Sequence, residues 1–210
     1  MSRSRTTRSA AAPRAWQRML SGRRLDLLDP SPLDIEIEDI AHGLARVARW
    51  NGQTTGPFAF SVAQHSLVVE ELVRALQPDA GPELQMAALV HDGPEYVVGD
   101  MISPFKAVLG GDYKAVEDRL TRAIHLRFGL PAAMPAAWKK VIKRADLICA
   151  WLEATQLAGF SEDEADGFFI HPSDDQMMNL DPLEPGDAQT AFISRFETLI
   201  RAMDHAGATK

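Results

Sequence analysis

The sequence lacks several features that would place it in well-marked functional classes. It has one cysteine, Cys149, so no disulfide can form within the chain, and it has no run of about 18 apolar residues that could span a membrane. It also contains no P-loop and no paired-cysteine metal motif. These absences exclude a disulfide-rich secreted domain and a P-loop triphosphatase, and we expect a soluble, cytoplasmic protein.

Acidic residues are missing from the first 24 positions, which carry seven arginines. Removing this charge of +7 from the net charge of −7 leaves −14 for residues 25–210. A body this acidic repels a polyanion, so we expect no binding of extended nucleic acid, whereas small anions held by a metal remain possible. Residues 1–33 are predicted to be a basic tail that is flexible at its start, with a transit peptide as the alternative.

The remainder of the chain has the composition of one globular domain. Apolar residues make up 46% of the sequence and charged residues 24%, which is enough to bury a core, and we assign residues 34–206 to a single domain. Apolar positions recur at helical spacing without sustained strand-like alternation, so the predicted fold is an all-α bundle. The stretch 160–185 is predicted to be an irregular acidic excursion. Helices are predicted over about 37–50, 61–77, 82–92, 112–128, 136–158 and 187–204.

Four polar residues occupy positions that are otherwise apolar on three of these helices: His65, His91, Asp92 and Asp146. Burying such groups is costly unless they find partners. Imidazole nitrogens and carboxylate oxygens that converge could satisfy one another through a divalent cation. Adjacent residues on a helix point about 100° apart, so His91 and Asp92 can share one ion only if the backbone is distorted. The Gly93-Pro94 pair that follows supplies a reason for such distortion.

Each of these residues has a simpler interpretation when it is taken alone. With six histidines and seventeen aspartates, one His-Asp dipeptide is roughly what chance provides. A lone histidine on an apolar face is more often a hydrogen-bonded core residue than a ligand. The ordered set, with its members on separate predicted helices, is what favours a metal site. Cys149 is predicted to be a buried, inert thiol.

The order of His65, His91-Asp92 and Asp146 resembles the metal signature of the HD-domain phosphohydrolase superfamily. The resemblance covers roughly residues 34–158, and we place Arg49-Trp50 on the helix that precedes His65. Several neighbouring segments are similar to the bacterial 5′-deoxynucleotidase branch of that superfamily: Arg49-Trp50, His91-Asp92-Gly93-Pro94-Glu95, Gly99-Asp100 and Ser103-Pro104-Phe105-Lys106.

This resemblance implies an all-α bundle, commonly a homodimer, that hydrolyses deoxyribonucleoside 5′-monophosphates to deoxynucleosides and phosphate. It implies one divalent metal ion, with Mn, Co, Fe, Ni, Zn and Mg as candidates. His65, His91, Asp92 and Asp146 would be its ligands.

The resemblance also assigns roles around the metal. Glu95 would orient or deprotonate the attacking water, and Asp100 would assist at the phosphate. Arg49 would bind phosphate oxygens, and Lys106 is placed with the substrate-binding residues. Trp50 would pack against the sugar and disfavour a ribose 2′-hydroxyl.

Two other functions fit the same residues. The metal could instead serve hydrolysis of nucleoside triphosphates, cyclic nucleotides or guanosine alarmones. The chain could also be a non-catalytic nucleotide-binding or scaffold protein, for which the basic tail on an acidic body is the motivation.

Overall fold

Helices make up most of the part of the chain that the computed structural model describes, residues 14–101 and 111–208. A small antiparallel hairpin, β1 (Trp16–Arg18) and β2 (Arg24–Asp26), precedes them. The predicted all-α fold class is confirmed. The α-helices in these ranges are α1 (Ile37–Leu44), α2 (Val62–Leu76), α3 (Pro82–Leu89), α4 (Glu95–Val98), α5 (Gly111–Arg127), α6 (Ala136–Gln156), α7 (Glu162–Asp166) and α8 (Pro185–Ala208).

The packing of α2 against α6 forms the centre of the bundle. Both helices bury apolar side chains completely, among them Leu72 on α2 and Ile148 on α6. Helix α3 packs against α2 and α8, and α1 contacts α4 and α8. Each fully buried aliphatic side chain contributes about 1.5–3 kcal/mol. Because α2 carries His65 and α6 carries Asp146, this apolar packing also brings two predicted metal ligands together.

The hairpin is attached to the helical body through one buried side chain and one buried acid. Leu25 is fully buried in the core. The backbone N–H and the hydroxyl of Ser21 donate to the carboxylate of Asp39 on α1, at 3.0 and 2.5 Å. The predicted tail is therefore attached to the helical body through Ser21 and Leu25. Its boundary at residue 33 stays a prediction, and the flexible start predicted for it falls on residues 1–13, outside the described residues.

Helix α1 is shorter than the apolar spacing predicts, because it ends at Leu44. Beyond it, the backbone N–H of Arg49 donates to the carbonyl of Phe60 at 2.8 Å, and this tertiary bond replaces a helical one. Trp50 then turns the chain with a φ of 56°. The prediction that Arg49-Trp50 lie on the helix is therefore wrong, since they begin a short 3-10 segment, Arg49–Gly52.

The interruption predicted at Gly93-Pro94 is confirmed, because α3 stops before the His-Asp pair and α4 starts after it. A side chain at Gly93 would place its Cβ 2.9 Å from the carbonyl oxygen of Val90 and 3.0 Å from Cδ1 of Ile124. Only glycine leaves room here for both the Val90 carbonyl and the Ile124 side chain. The pair consequently lies on a distorted connection, as a shared metal site requires.

The excursion over residues 160–185 is mostly irregular but is anchored to the bundle. It contains α7 and a 3-10 turn, Asp174–Gln176. Phe169 and Ile170 pack against the core, whereas Phe168 is 71% exposed. No helix in the described ranges combines the length and the apolar character needed to cross a membrane.

Candidate metal centre and substrate pocket

The structure brings all four predicted metal ligands together. Nε2 of His65 lies 3.4 Å from Oδ2 of Asp92 and 3.4 Å from Oδ1 of Asp146. Nε2 of His91 lies 3.2 Å from the same Oδ2 of Asp92. Potential ligand atoms of His65, His91 and Asp146 all lie within 4.8 Å of one another. These imidazoles and carboxylates could hold a metal ion.

The Nδ1 atoms of His65 and His91 have hydrogen-bond partners of their own, which leaves Nε2 as the nitrogen that faces the candidate metal centre. Nδ1 of His91 lies 2.8 Å from the carbonyl oxygen of Ala88, and Nδ1 of His65 lies 2.6 Å from Oε1 of Glu153. A carbonyl or a carboxylate only accepts, so each Nδ1 carries a proton, and a ring in its neutral form has its lone pair on Nε2. Within the described ranges, neither Nε2 has a hydrogen-bond partner.

Both Nε2 atoms face carboxylate oxygens, an arrangement that a positive charge stabilises, either as a proton on Nε2 or as a metal ion between the groups. Burial raises the pKa of Asp92, but His91 and His65 outweigh that effect and hold it well below its usual value. Burial likewise raises the pKa of Asp146, and His65 outweighs it to lower the pKa. Both acids therefore stay ionised, because the positive charge and N–H donation of the neighbouring imidazoles lower their pKa values. A divalent cation fits this donor set, because metal ligands of these types bind in their deprotonated forms.

A second group of potential ligands, formed by His65, Cys149 and Glu153, lies on the other side of the same imidazole. Its contacts are already hydrogen bonds, since the Cys149 thiol donates to Oε1 of Glu153 at 3.2 Å and His65 donates to that oxygen as well. Burial raises the pKa of Cys149 to about 12, so the thiol stays neutral. The Nε2 side of His65 is therefore the better candidate for the ion.

Glu153 connects the candidate metal centre to Arg49 and Trp50, and it was not predicted from the sequence. It is fully buried, and its Oε2 accepts hydrogen bonds from Nε of Arg49 at 3.1 Å and from Nε1 of Trp50 at 2.7 Å. Burial raises its pKa, but Arg49 and His65 outweigh that effect and lower the pKa to about 2. The only signal in the sequence is an acid two helical turns after Asp146 in an apolar stretch.

Arg49 is held between two carboxylates at the entrance to the site. Its Nη1 donates to Oδ2 of Asp100 at 3.1 Å while its Nε donates to Glu153. Trp50, the next residue, has the left-handed backbone that bulky residues rarely adopt. Such strain persists where surrounding contacts hold it, here through the Trp50 bond to Glu153.

A cavity of about 610 Å³ opens onto these groups. Glu95 is buried at its wall, with 3% of its surface exposed. Lys143, which was not predicted as a site residue, donates to Oδ2 of Asp146 at 2.7 Å. Lys106, the other predicted substrate-binding residue, lies outside the described residues. The charged residues that line the cavity are Arg49, Asp92, Glu95, Asp100, Lys143 and Asp146.

The apolar part of the cavity is formed by four aromatic side chains together with Met101, Leu147 and Ala150. The ring centroid of Trp50 lies 5.6 Å from that of Phe160 and 5.9 Å from that of Phe169. Phe168 lies next to Phe169, at 6.2 Å. The cavity therefore has a charged side and an aromatic side.

Comparison with known proteins places the chain among relatives that match it over most of their length. It is 59% identical over 194 residues to the uncharacterized protein RCAP_rcc00048 of Rhodobacter capsulatus, covering 90% of this chain and 98% of that protein. It is 34% identical over 170 residues to the uncharacterized protein YfdR of Escherichia coli K12, covering 79% of this chain and 85% of that protein. No protein-family model matches the chain. At these identities and coverages, the chain belongs to the protein family that includes RCAP_rcc00048 and YfdR.

Proposed function

We propose that this protein is a metal-dependent phosphomonoester hydrolase that acts on (deoxy)nucleoside 5′-monophosphates and releases nucleoside and phosphate. The observation that carries the proposal is the convergence of the Nε2 atoms of His65 and His91 on the carboxylates of Asp92 and Asp146, beside a cavity lined by Arg49. The resemblance of this ordered set to the HD-domain phosphohydrolases supports the same reaction class.

The four residues would hold one divalent ion, for which Mn, Co, Fe, Ni, Zn and Mg are the candidates. When bound, such an ion neutralises negative charge on a phosphate and makes water a better nucleophile. Glu153 and the carbonyl of Ala88 accept the Nδ1 protons of His65 and His91, and so hold both rings with their lone pairs toward the ion.

Arg49 is the group best placed to bind phosphate oxygens. Two of its five N–H donors go to Glu153 and Asp100, and these bonds fix the plane of the guanidinium. Its remaining donors can bind a phosphate in the fork-like geometry that arginine favours. Lys143 adds a second positive charge on the same cavity, beside Asp146.

Glu95 and Asp100 would handle the reacting groups. Water attacks phosphorus, the bond from phosphorus to the 5′-oxygen breaks, and the leaving oxygen must gain a proton. Glu95 would accept a proton from the attacking water and return one to the 5′-oxygen, since its buried carboxylate lines the cavity. Asp100 would assist at the phosphate by fixing Arg49 through their 3.1 Å ion pair.

The experiment is phosphate release from a panel of deoxy- and ribonucleoside 5′-monophosphates, with Mn²⁺, Co²⁺ or Mg²⁺ added. We expect release with at least one of these metals, and a loss of roughly 100- to 10,000-fold in Glu95→Ala, the range for removing a general base. Glu162→Ala removes an exposed acid that does not line the described cavity and should keep wild-type activity. No release from any monophosphate would refute the proposal.

Adding nucleoside triphosphates, cyclic nucleotides and guanosine alarmones to the panel separates the other two functions considered for this metal site. Triphosphate, a linear monophosphate or pyrophosphate as product would identify a triphosphate, cyclic nucleotide or alarmone substrate instead. Binding of nucleotide and metal without any turnover would indicate a non-catalytic protein.

A further inference from the structure

The aromatic side of the cavity is a contiguous group of rings from two distant parts of the sequence. Trp50 comes from the turn after α1, whereas Phe160, Phe168 and Phe169 come from the acidic excursion. Centroid distances of 5.6, 5.9, 6.2 and 6.4 Å join all four rings, which is the range in which aromatic rings interact. The excursion thus supplies three of the four rings at this cavity.

These rings differ in how much of their surface is available to a ligand. Trp50, Phe160 and Phe169 are partly buried and pack against the core. Phe168 contacts Phe169 but remains 71% exposed while it lines the cavity. A single exposed phenylalanine is ordinary on a protein surface. One that extends an aromatic cluster into a cavity with charged groups has the character of a binding residue.

The two sides of the cavity suit the two ends of one kind of ligand. Arg49 and Lys143 line it together with carboxylates, and the four rings belong to its apolar lining. Its volume of about 610 Å³ is that of a small-molecule site. A phosphate at the charged side and a flat, apolar ring at the aromatic side would use both. A sugar phosphate without a planar base would leave the aromatic side in contact with water.

We propose that Phe168 stacks on the nucleobase and thereby selects phosphomonoesters that carry a planar ring over sugar phosphates that lack one. This inference rests on the proposed function for the phosphate end of the site. Stacking uses the face of the base and not its hydrogen-bonding edge, so Phe168 favours any nucleobase and does not read its identity. Removing one stacking ring weakens binding by about tenfold.

The test compares deoxyadenosine 5′-monophosphate with deoxyribose 5-phosphate, which has the same phosphoester and no base. In Phe168→Ala, we expect kcat/KM for the nucleotide to fall about tenfold through a higher KM, and kcat/KM for the sugar phosphate to stay within about twofold. Phe168→Tyr keeps a ring and should restore the preference. Phe58→Ala removes another exposed phenylalanine, one that does not line the described cavity, and should change neither value.

Binding measured by isothermal titration calorimetry keeps the test independent of turnover. Wild-type protein should bind the nucleotide about tenfold more tightly than the sugar phosphate, and Phe168→Ala should abolish that difference. If the protein shows this binding difference but hydrolyses neither compound, the stacking role of Phe168 is supported and the proposed reaction is refuted. If kcat/KM of Phe168→Ala falls equally for both substrates, or does not fall for the nucleotide, the role of Phe168 is overturned while the proposed reaction stands. Binding of neither compound would overturn both proposals.

Discussion

Replacing Glu153 by glutamine keeps the size of the side chain but removes its charge and one of its two acceptor oxygens. Both oxygens are in use, because Oε1 accepts from His65 and Oε2 accepts from Arg49 and Trp50. In either orientation, the new amide N–H group faces an N–H group that needs an acceptor. His65 can escape this conflict only by moving its proton to Nε2, which removes the lone pair that faces Asp92.

The loss of charge acts in both orientations. Arg49 is buried between two carboxylates, and breaking a buried ion pair costs about 3–5 kcal/mol. Asp100 remains as a partner, so we expect the lower end, about 3 kcal/mol of unfolding free energy. For a chain of this length, that corresponds to a fall in Tm of roughly 6–12 °C. Metal affinity should fall about 10- to 100-fold, the usual effect of losing the group that orients a ligating histidine.

Urea denaturation of chelator-treated protein measures the stability change, and calorimetric titration with Mn²⁺ measures the affinity. Glu197→Gln is the matched control, since Glu197 is 59% exposed and its nearest arginine nitrogen, on Arg201, lies 3.7 Å away. It should change the unfolding free energy by no more than about 0.5 kcal/mol. If Glu153→Gln is as stable as this control and binds Mn²⁺ equally well, the connecting role of Glu153 is refuted.

Two further predictions concern buried positions. Cys149 should not react with a thiol reagent at pH 8 in the native protein, because the thiol is buried and burial raises its pKa to about 12. It should react once urea unfolds the chain, and rapid labelling of the native protein would contradict this prediction. Gly43→Ala should lower the unfolding free energy by about 1–3 kcal/mol, because the new Cβ would lie 2.7 Å from Cβ of Tyr96. Gly186→Ala, where nothing described lies within 4 Å, is its control in the same urea titration, and equal stability of the two variants would exclude the contact.

Apolar spacing predicted the helices well where local preference and tertiary packing agree. Helix α6 runs over Ala136–Gln156, close to its predicted range, and the break beside Gly93 followed from that glycine and the proline after it. The non-helical position of Arg49 was missed because its backbone N–H binds the distant carbonyl of Phe60, and no local pattern encodes a contact of that kind. The short hairpin was missed for a similar reason, since three paired residues give no sustained alternation.

The candidate ligands could be found because each is a polar residue within an apolar stretch, a signal that the sequence itself contains. Glu153 and Lys143 could not be assigned in the same way. The importance of Glu153 lies in its contacts with Arg49 and His65, which are 104 and 88 residues away along the chain. The aromatic side of the cavity likewise joins Trp50 to the distant excursion, so only the folded chain displays it.

The metal content of the purified protein tests the central claim most directly, because the proposed hydrolysis depends on an ion held by His65, His91, Asp92 and Asp146. Wild type and Asp92→Ala would be treated with chelator, reloaded with Mn²⁺, dialysed and measured by elemental mass spectrometry. We predict about one Mn²⁺ per wild-type chain, and a large loss in a variant that lacks one of its four ligands. Equal metal content in the two proteins, or none in wild type, would contradict the account.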